Sequence, residues 1–200
     1  MSTRPRAMRQ FSARLVRNLQ PPSGENELIP AIGQALSRVR GRPVRIRQAA
    51  FPPATASGIW VDLTSHDLIA YEENTDPEHQ LVIIGHEAWH MFEGHSGTGH
   101  VTTAARAGRG ETAQALAEFV ALIAEAADTD LPSDAPMDVA LHFAARTDAR
   151  HVHEELDAER FGCRFATDLL AALEDTRLPD DPQQIAGRIK ASMAHRFRQM

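Results

Sequence analysis

Residues 81–92 read Leu81-Val82-Ile83-Ile84-Gly85-His86-Glu87-Ala88-Trp89-His90-Met91-Phe92, and the rest of the chain is read outward from them. An apolar run enters a glycine and then an H-E-x-x-H pentapeptide, His86 to His90. On a helix, residues four apart lie one turn apart on one face, so both imidazoles reach a common metal ion. Glu87 sits beside them without being a ligand, able to take a proton from metal-bound water and hand it to a leaving amine. Zinc is the natural ion: catalytic zinc sites use three protein ligands and leave a fourth position for water, whose pKa falls to about 7. Two bland readings stand beside this one. His86 and His90 would then be satisfied core histidines of a packed helix, or ligands of a site that binds metal without catalysis.

A third ligand has to come from elsewhere. A metzincin would carry Gly three and His six residues after His90, and this chain has Glu93 and Ser96 there. His95 is out of register by one and, with His100, reads as a loop histidine. His151 and His153 alternate, so they do not share a helix face and suit a helix start or the surface. The better candidates are Glu155 and Glu159, four apart on one helix face beside an apolar stripe. Either carboxylate can complete a His₂Glu site, and the other would then accept the free ring N–H of a ligating histidine. An ordinary solvated acidic face also remains open and suits Glu154 and Asp157 best.

Around this centre the hydrophobic periodicity predicts an α+β chain with a small sheet. Leu28, Ile29, Ile32, Leu36 and Val39 recur at helical spacing over residues 25–40, and Gly41-Arg42-Pro43 ends that helix. Residues 44–47 alternate like a short strand. Residues 58–63 and 68–72 read as a hairpin about the turn Ser65-His66-Asp67, with 68–72 the edge strand nearest the active-site helix. Helices are expected over 80–92, 111–127, 151–175 and 182–197, with a Gly-, Ser- and Thr-rich loop over 96–109. In the helix over 151–175, Val152, Leu156, Cys163, Ala166, Leu170 and Leu173 form the apolar stripe, and Cys163 reads as a small core residue.

The 200 residues are 42% hydrophobic and 24% charged, which excludes a wholly disordered chain. One cysteine excludes an internal disulfide, and no apolar run approaches a membrane span. The net charge of -6 conceals a division. Residues 1–50 hold ten arginines against Glu25 and Glu27, a balance of +8, and the remaining 150 residues balance at -14. Residues 1–24 therefore read as a basic N-terminal arm, solvated against the acidic body or touching nucleic acid. Residues 25–200 read as one domain with a helical insertion around 96–150.

The pentapeptide in its apolar context, with the later Glu155, Ala158, Glu159, Phe161 and Gly162, resembles the ImmA/IrrE-like metallopeptidases. Arg146-Thr147-Asp148 is similar to the approach to that element in actinobacterial relatives associated with toxin–antitoxin systems. The resemblance spans about residues 58–170, with a stretch between His90 and Glu155 longer than the family's usual spacing. It implies a zincin-like fold, Zn²⁺ held by His86, His90 and Glu155, Glu87 as general base, and a cytoplasmic protein. A register starting at Glu159 also fits and would make Glu159 the ligand. The implied substrate is a separate helix-turn-helix repressor, since this chain shows no such module. The expected mechanism seats a substrate strand against residues 68–72, with Tyr71 or His95 as oxyanion donor. A non-proteolytic zinc protein that sequesters a repressor, a small-molecule zinc hydrolase and a DNA-associated factor with an accidental motif are the alternatives.

Overall fold

The computed structural model describes residues 4–20, 27–53, 56–93, 118–119, 121 and 149–177. The expectations for His95, His100, the loop 96–109 and the helix 182–197 lie outside them. Of the expected helix 111–127, only residues 118, 119 and 121 are described, and they are helical. Within this set the chain is α+β. Its helices are α1 (Arg4–Asn18), α2 (Leu28–Arg40), α3 (Pro77–Glu93) and α4 (Ala149–Arg177). Its strands are β1 (Val44–Ala49), β2 (Gly58–Asp62) and β3 (Asp67–Glu72). No helix among the described residues is long and apolar enough to cross a membrane.

The sheet is mixed, in the order β1-β3-β2. β2 and β3 form the expected antiparallel hairpin, with Trp60 opposite Ile69, while β1 joins β3 in parallel, with Ile46 opposite Ile69. This overturns one expectation: residues 68–72 are the central strand and offer no edge to a substrate. The burial explains why. Asp67 to Tyr71 are all buried, because Ile69 and Tyr71 face the helices while Leu68 and Ala70 face a second cluster with Phe51, Ile59, Val61 and Leu63. A strand covered on both faces reads as a continuous apolar run, and such strands sit inside sheets.

α2 ends where glycine permits a left-handed turn: Gly41 has φ 80° and donates its amide to Ser37 O at 2.9 Å. The turn feeds β1. β3 leads into α3 through a loop held by side-chain caps. Asp76 accepts the amide of Glu78 at 2.9 Å, and Glu72 accepts those of Phe51 at 3.0 Å and Asn74 at 2.8 Å. Burial alone would raise the Glu72 carboxyl, but the N–H donors from Asn74 and Phe51 outweigh it and hold the pKa below its ordinary value.

The helical side of the core is aromatic. Phe161 of α4 is fully buried and stacks on Trp89 of α3 and Phe11 of α1, at centroid distances of 4.9 and 5.0 Å. α1 is thus seated on the body rather than set apart as an arm: Met8, Ser12 and Leu15 are buried, and Ser12 donates to Asp168 at 2.7 Å. The apolar stripe expected on α4 holds at Ala166, Leu170 and Leu173, which pack on the core, and is corrected at Val152, Leu156 and Cys163. Ala158, Phe161, Phe165, Ala166 and Leu169 face the core, whereas Val152 (62% exposed), Leu156 (44%) and Cys163 lie on the solvent side. Phe161 in its aromatic slot fixes the rotation of the helix, and the smaller residues follow.

Two outcomes test this packing. Phe161→Ala should cost about 3–5 kcal/mol in urea denaturation, while Leu156→Gln should stay within about 0.5 kcal/mol of wild type. Glu72→Gln should cost about 1 kcal/mol at neutral pH. Because the folded-state pKa of Glu72 is depressed, its contribution is present above the ordinary carboxylate range and lost as pH falls through the depressed value. The gap between Glu72→Gln and wild type should therefore close in acid titrations of stability.

Candidate metal centre

The helix bearing the pentapeptide is fixed at its C-terminal end by a buried charge. Asp67, 0% exposed, accepts from Trp60 Nε1 at 2.9 Å and from Arg40 Nε at 3.1 Å, with Arg42 Nε at 3.5 Å. Arg40 then reaches α3, donating to the Met91 carbonyl at 2.9 Å and lying 5.8 Å from the Phe92 ring centroid. A cation on the last free carbonyls of a helix both satisfies them and opposes the macrodipole.

The opposing side of the centre comes from α4, and glycines set its distance. A Cβ on Gly162 would lie 2.5 Å from the Val82 carbonyl oxygen and 3.2 Å from the His86 amide nitrogen. One on Gly85 would lie 3.0 Å from the Gly162 Cα and 3.0 Å from the Phe165 ring. The two helices therefore cross backbone against backbone, directly beside His86. Residues 155, 159 and 162 share a face of α4 at spacings of four and three. The same glycine contact that joins the helices thus turns Glu155 and Glu159 toward the imidazoles.

The result is a compact group of donors. His86 Nε2 and His90 Nε2 are 3.1 Å apart, His86 Nε2 is 3.5 Å from Glu155 Oε2, and His90 Nε2 is 3.5 Å from Glu155 Oε1. Four-coordinate zinc with N and O ligands at about 2.0–2.1 Å separates neighbouring donors by about 3.3 Å. The three side chains fit one divalent ion with imidazole and carboxylate ligands. Glu159 stands differently: its carboxylate is 3.8 Å from His86 Nδ1, the other ring nitrogen, and its side chain is 64% exposed against 21% for Glu155. At that distance the two groups are within ion-pair reach but beyond a hydrogen bond. Burial opposes protonation of His86, but the hydrogen bond it donates to Glu155 and the negative charges of Glu87, Glu155 and Glu159 outweigh it and raise its pKa. The pocket attracts positive charge.

Glu87 is buried at 2% exposure, and its carboxylate lies at the start of β2, where a Cβ on Gly58 would come within 2.9 Å of Oε1. Gly58 is thus a site residue that lies outside the pentapeptide and the glutamate pair. Its signal was present: a glycine opening an otherwise apolar strand marks a close approach. Tyr71 pairs with Gly58 across the hairpin and is a core residue at 4% exposure, its phenol raised by burial so that it keeps its proton. No protein-family model matches the chain, and neither a curated protein nor a solved structure matches it.

Alanine in place of a helix-interior glycine ordinarily stabilises by about 1 kcal/mol. Gly162→Ala should do the reverse, losing about 1–3 kcal/mol because the new methyl meets a backbone carbonyl. Its affinity for zinc should fall as Glu155 moves away. Urea denaturation read beside zinc titration checks both signs.

Proposed function

We propose that the chain is a metal-dependent hydrolase of the zincin class, using zinc and a glutamate base. Within that class we read it as an endopeptidase of the ImmA/IrrE-like type. The observation that carries the first step is the convergence of His86 and His90 of α3 with Glu155 of α4, one donor atom from each lying within 4.8 Å of the others, beside the buried Glu87 of α3. The second step rests on the resemblance of the pentapeptide and of the element from Glu155 to Gly162. The same resemblance supports a separate helix-turn-helix repressor as substrate.

His86, His90 and Glu155 would hold the ion, which when bound supplies Lewis acidity toward a carbonyl and acidifies a water to a pKa near 7. Glu87 accepts the proton of the attacking water and returns it to the leaving amine. Glu159, 3.8 Å from His86 Nδ1, would orient that ring for ligation by closing to hydrogen-bond distance. Tyr71, protonated and paired with Gly58, is the described candidate for an oxyanion donor.

Purified protein should hold about one zinc per chain, lost in His86→Ala and in Glu155→Ala but retained in Glu159→Ala. Glu87→Gln should keep the zinc yet lower hydrolysis of a mixed fluorogenic peptide library by about 10²–10⁴ in kcat/KM. A wild type that stays zinc-free after reconstitution would make the pentapeptide a packing feature. Full hydrolysis by Glu87→Gln would remove the assigned base.

A further inference from the structure

The metal centre makes no use of the outer surface of α1. That helix carries Arg4, Arg6, Arg9, Arg14 and Arg17 and no acidic residue. Met8, Ser12 and Leu15 are its buried side. At about 100° per residue, Arg6, Arg9, Arg14 and Arg17 fall on the opposite half, and all four are exposed. Arg4 pairs with Asp157. Among the described residues none of the other four has a carboxylate partner; Arg17 donates to the Ala13 carbonyl of its own helix. α2 extends the surface with Arg38, which donates to the Asn18 carbonyl at 2.7 Å and reaches Gln34 at 3.5 Å, again without a carboxylate. Five guanidinium groups without a carboxylate partner among the described residues thus share one face of a chain whose net charge is -6.

We propose that this face binds the phosphodiester backbone of a DNA duplex, without reading its sequence. The guanidinium fork matches phosphate oxygens. Arg6 and Arg17 are separated by about 16 Å along the helix, enough to follow several phosphates spaced 3.4 Å per strand along the duplex axis. Two other partners fit less well. A basic amphipathic helix settles on a membrane by inserting its apolar face, and here that face is spent on the core through Met8 and Leu15. A single strand needs exposed rings on which bases stack, and Phe11, the aromatic residue of α1, is engaged with Phe161 and Phe92. The acidic remainder of the chain repels phosphate elsewhere, so the charge division orients α1 toward DNA. The inference is independent of the metal centre. If both hold, the enzyme is delivered to DNA, where a repressor substrate resides.

The test is fluorescence anisotropy of a labelled duplex of about 25 base pairs with the full chain, between about 50 and 200 mM salt. Two unrelated sequences should bind alike, with log affinity falling against log salt at a slope of about -4. Combining Arg6→Gln, Arg9→Gln, Arg14→Gln and Arg17→Gln should weaken binding at the low-salt end by at least about tenfold and flatten the slope to about -1. Lysine at the same four positions should preserve binding within a few-fold. Arg47→Gln, on the sheet face away from α1, should change neither. Circular dichroism and zinc content of each variant verify the fold. A slope near zero, or unchanged affinity in the four-glutamine variant, would overturn the proposal. So would competition by polyglutamate as effective as by unlabelled duplex, or binding to phosphatidylserine vesicles in preference to the duplex.

Discussion

The near-contact of the α3 and α4 backbones at Gly85 and Gly162 is the constraint from which the site follows. A Cβ on Gly162 would intrude to 2.5 Å from a carbonyl oxygen of α3, so no other residue fits there without parting the helices. Because Glu155 lies two turns before Gly162, an ångström added at the crossing is an ångström removed from its reach toward His86 and His90. The aromatic stack of Phe11, Trp89 and Phe161 stands just beyond the glycines and fixes the rotation that the crossing leaves free. Spacing is set by absent side chains, and angle by large ones.

The second determinant is electrostatic. Asp67 is buried with two arginines and an indole N–H, an arrangement whose desolvation cost is offset only because every partner is in place. What this cluster supplies is position. Arg40 joins α2, the middle strand and the last turn of α3 in one set of hydrogen bonds. The two ends of α3 are thus held by unlike means, Asp76 at the start and Arg40 at the finish.

The sequence made the helix of His86 and His90, the hairpin and the long helix of Glu155 legible, because each depends on local periodicity. Three matters were not legible, for a common reason. Strand order depends on which neighbour claims each edge, and residues 68–72 could not announce that Val44–Ala49 would take the far side. The core face of α4 depends on where Phe161 finds its slot, and a stripe built on Val152, Leu156 and Cys163 satisfies the same periods. The docking of α1 rests on a few buried positions amid five arginines, which composition averages away. The choice between Glu155 and Glu159 is of the same kind: both lie on the right face, and only the distance between helices separates a carboxylate at 3.5 Å from both Nε2 atoms from one at 3.8 Å from Nδ1.

The seating of α1 on α4 also bears on how the chain is made. Ser12 finds Asp168 after 156 further residues, and Arg4 finds Asp157 after 153. Glu155 follows His90 by 65 residues. During synthesis, α1 and the two histidines leave the ribosome well before the helix that covers the one and completes the other. Contacts so distant in sequence close late and slowly. A nascent or truncated chain lacking α4 has two histidines but no carboxylate to join them, and an exposed aromatic surface around Phe11 and Trp89 for chaperones to find. The order of translation itself then withholds the candidate group of His86, His90 and Glu155 until α4 has been made.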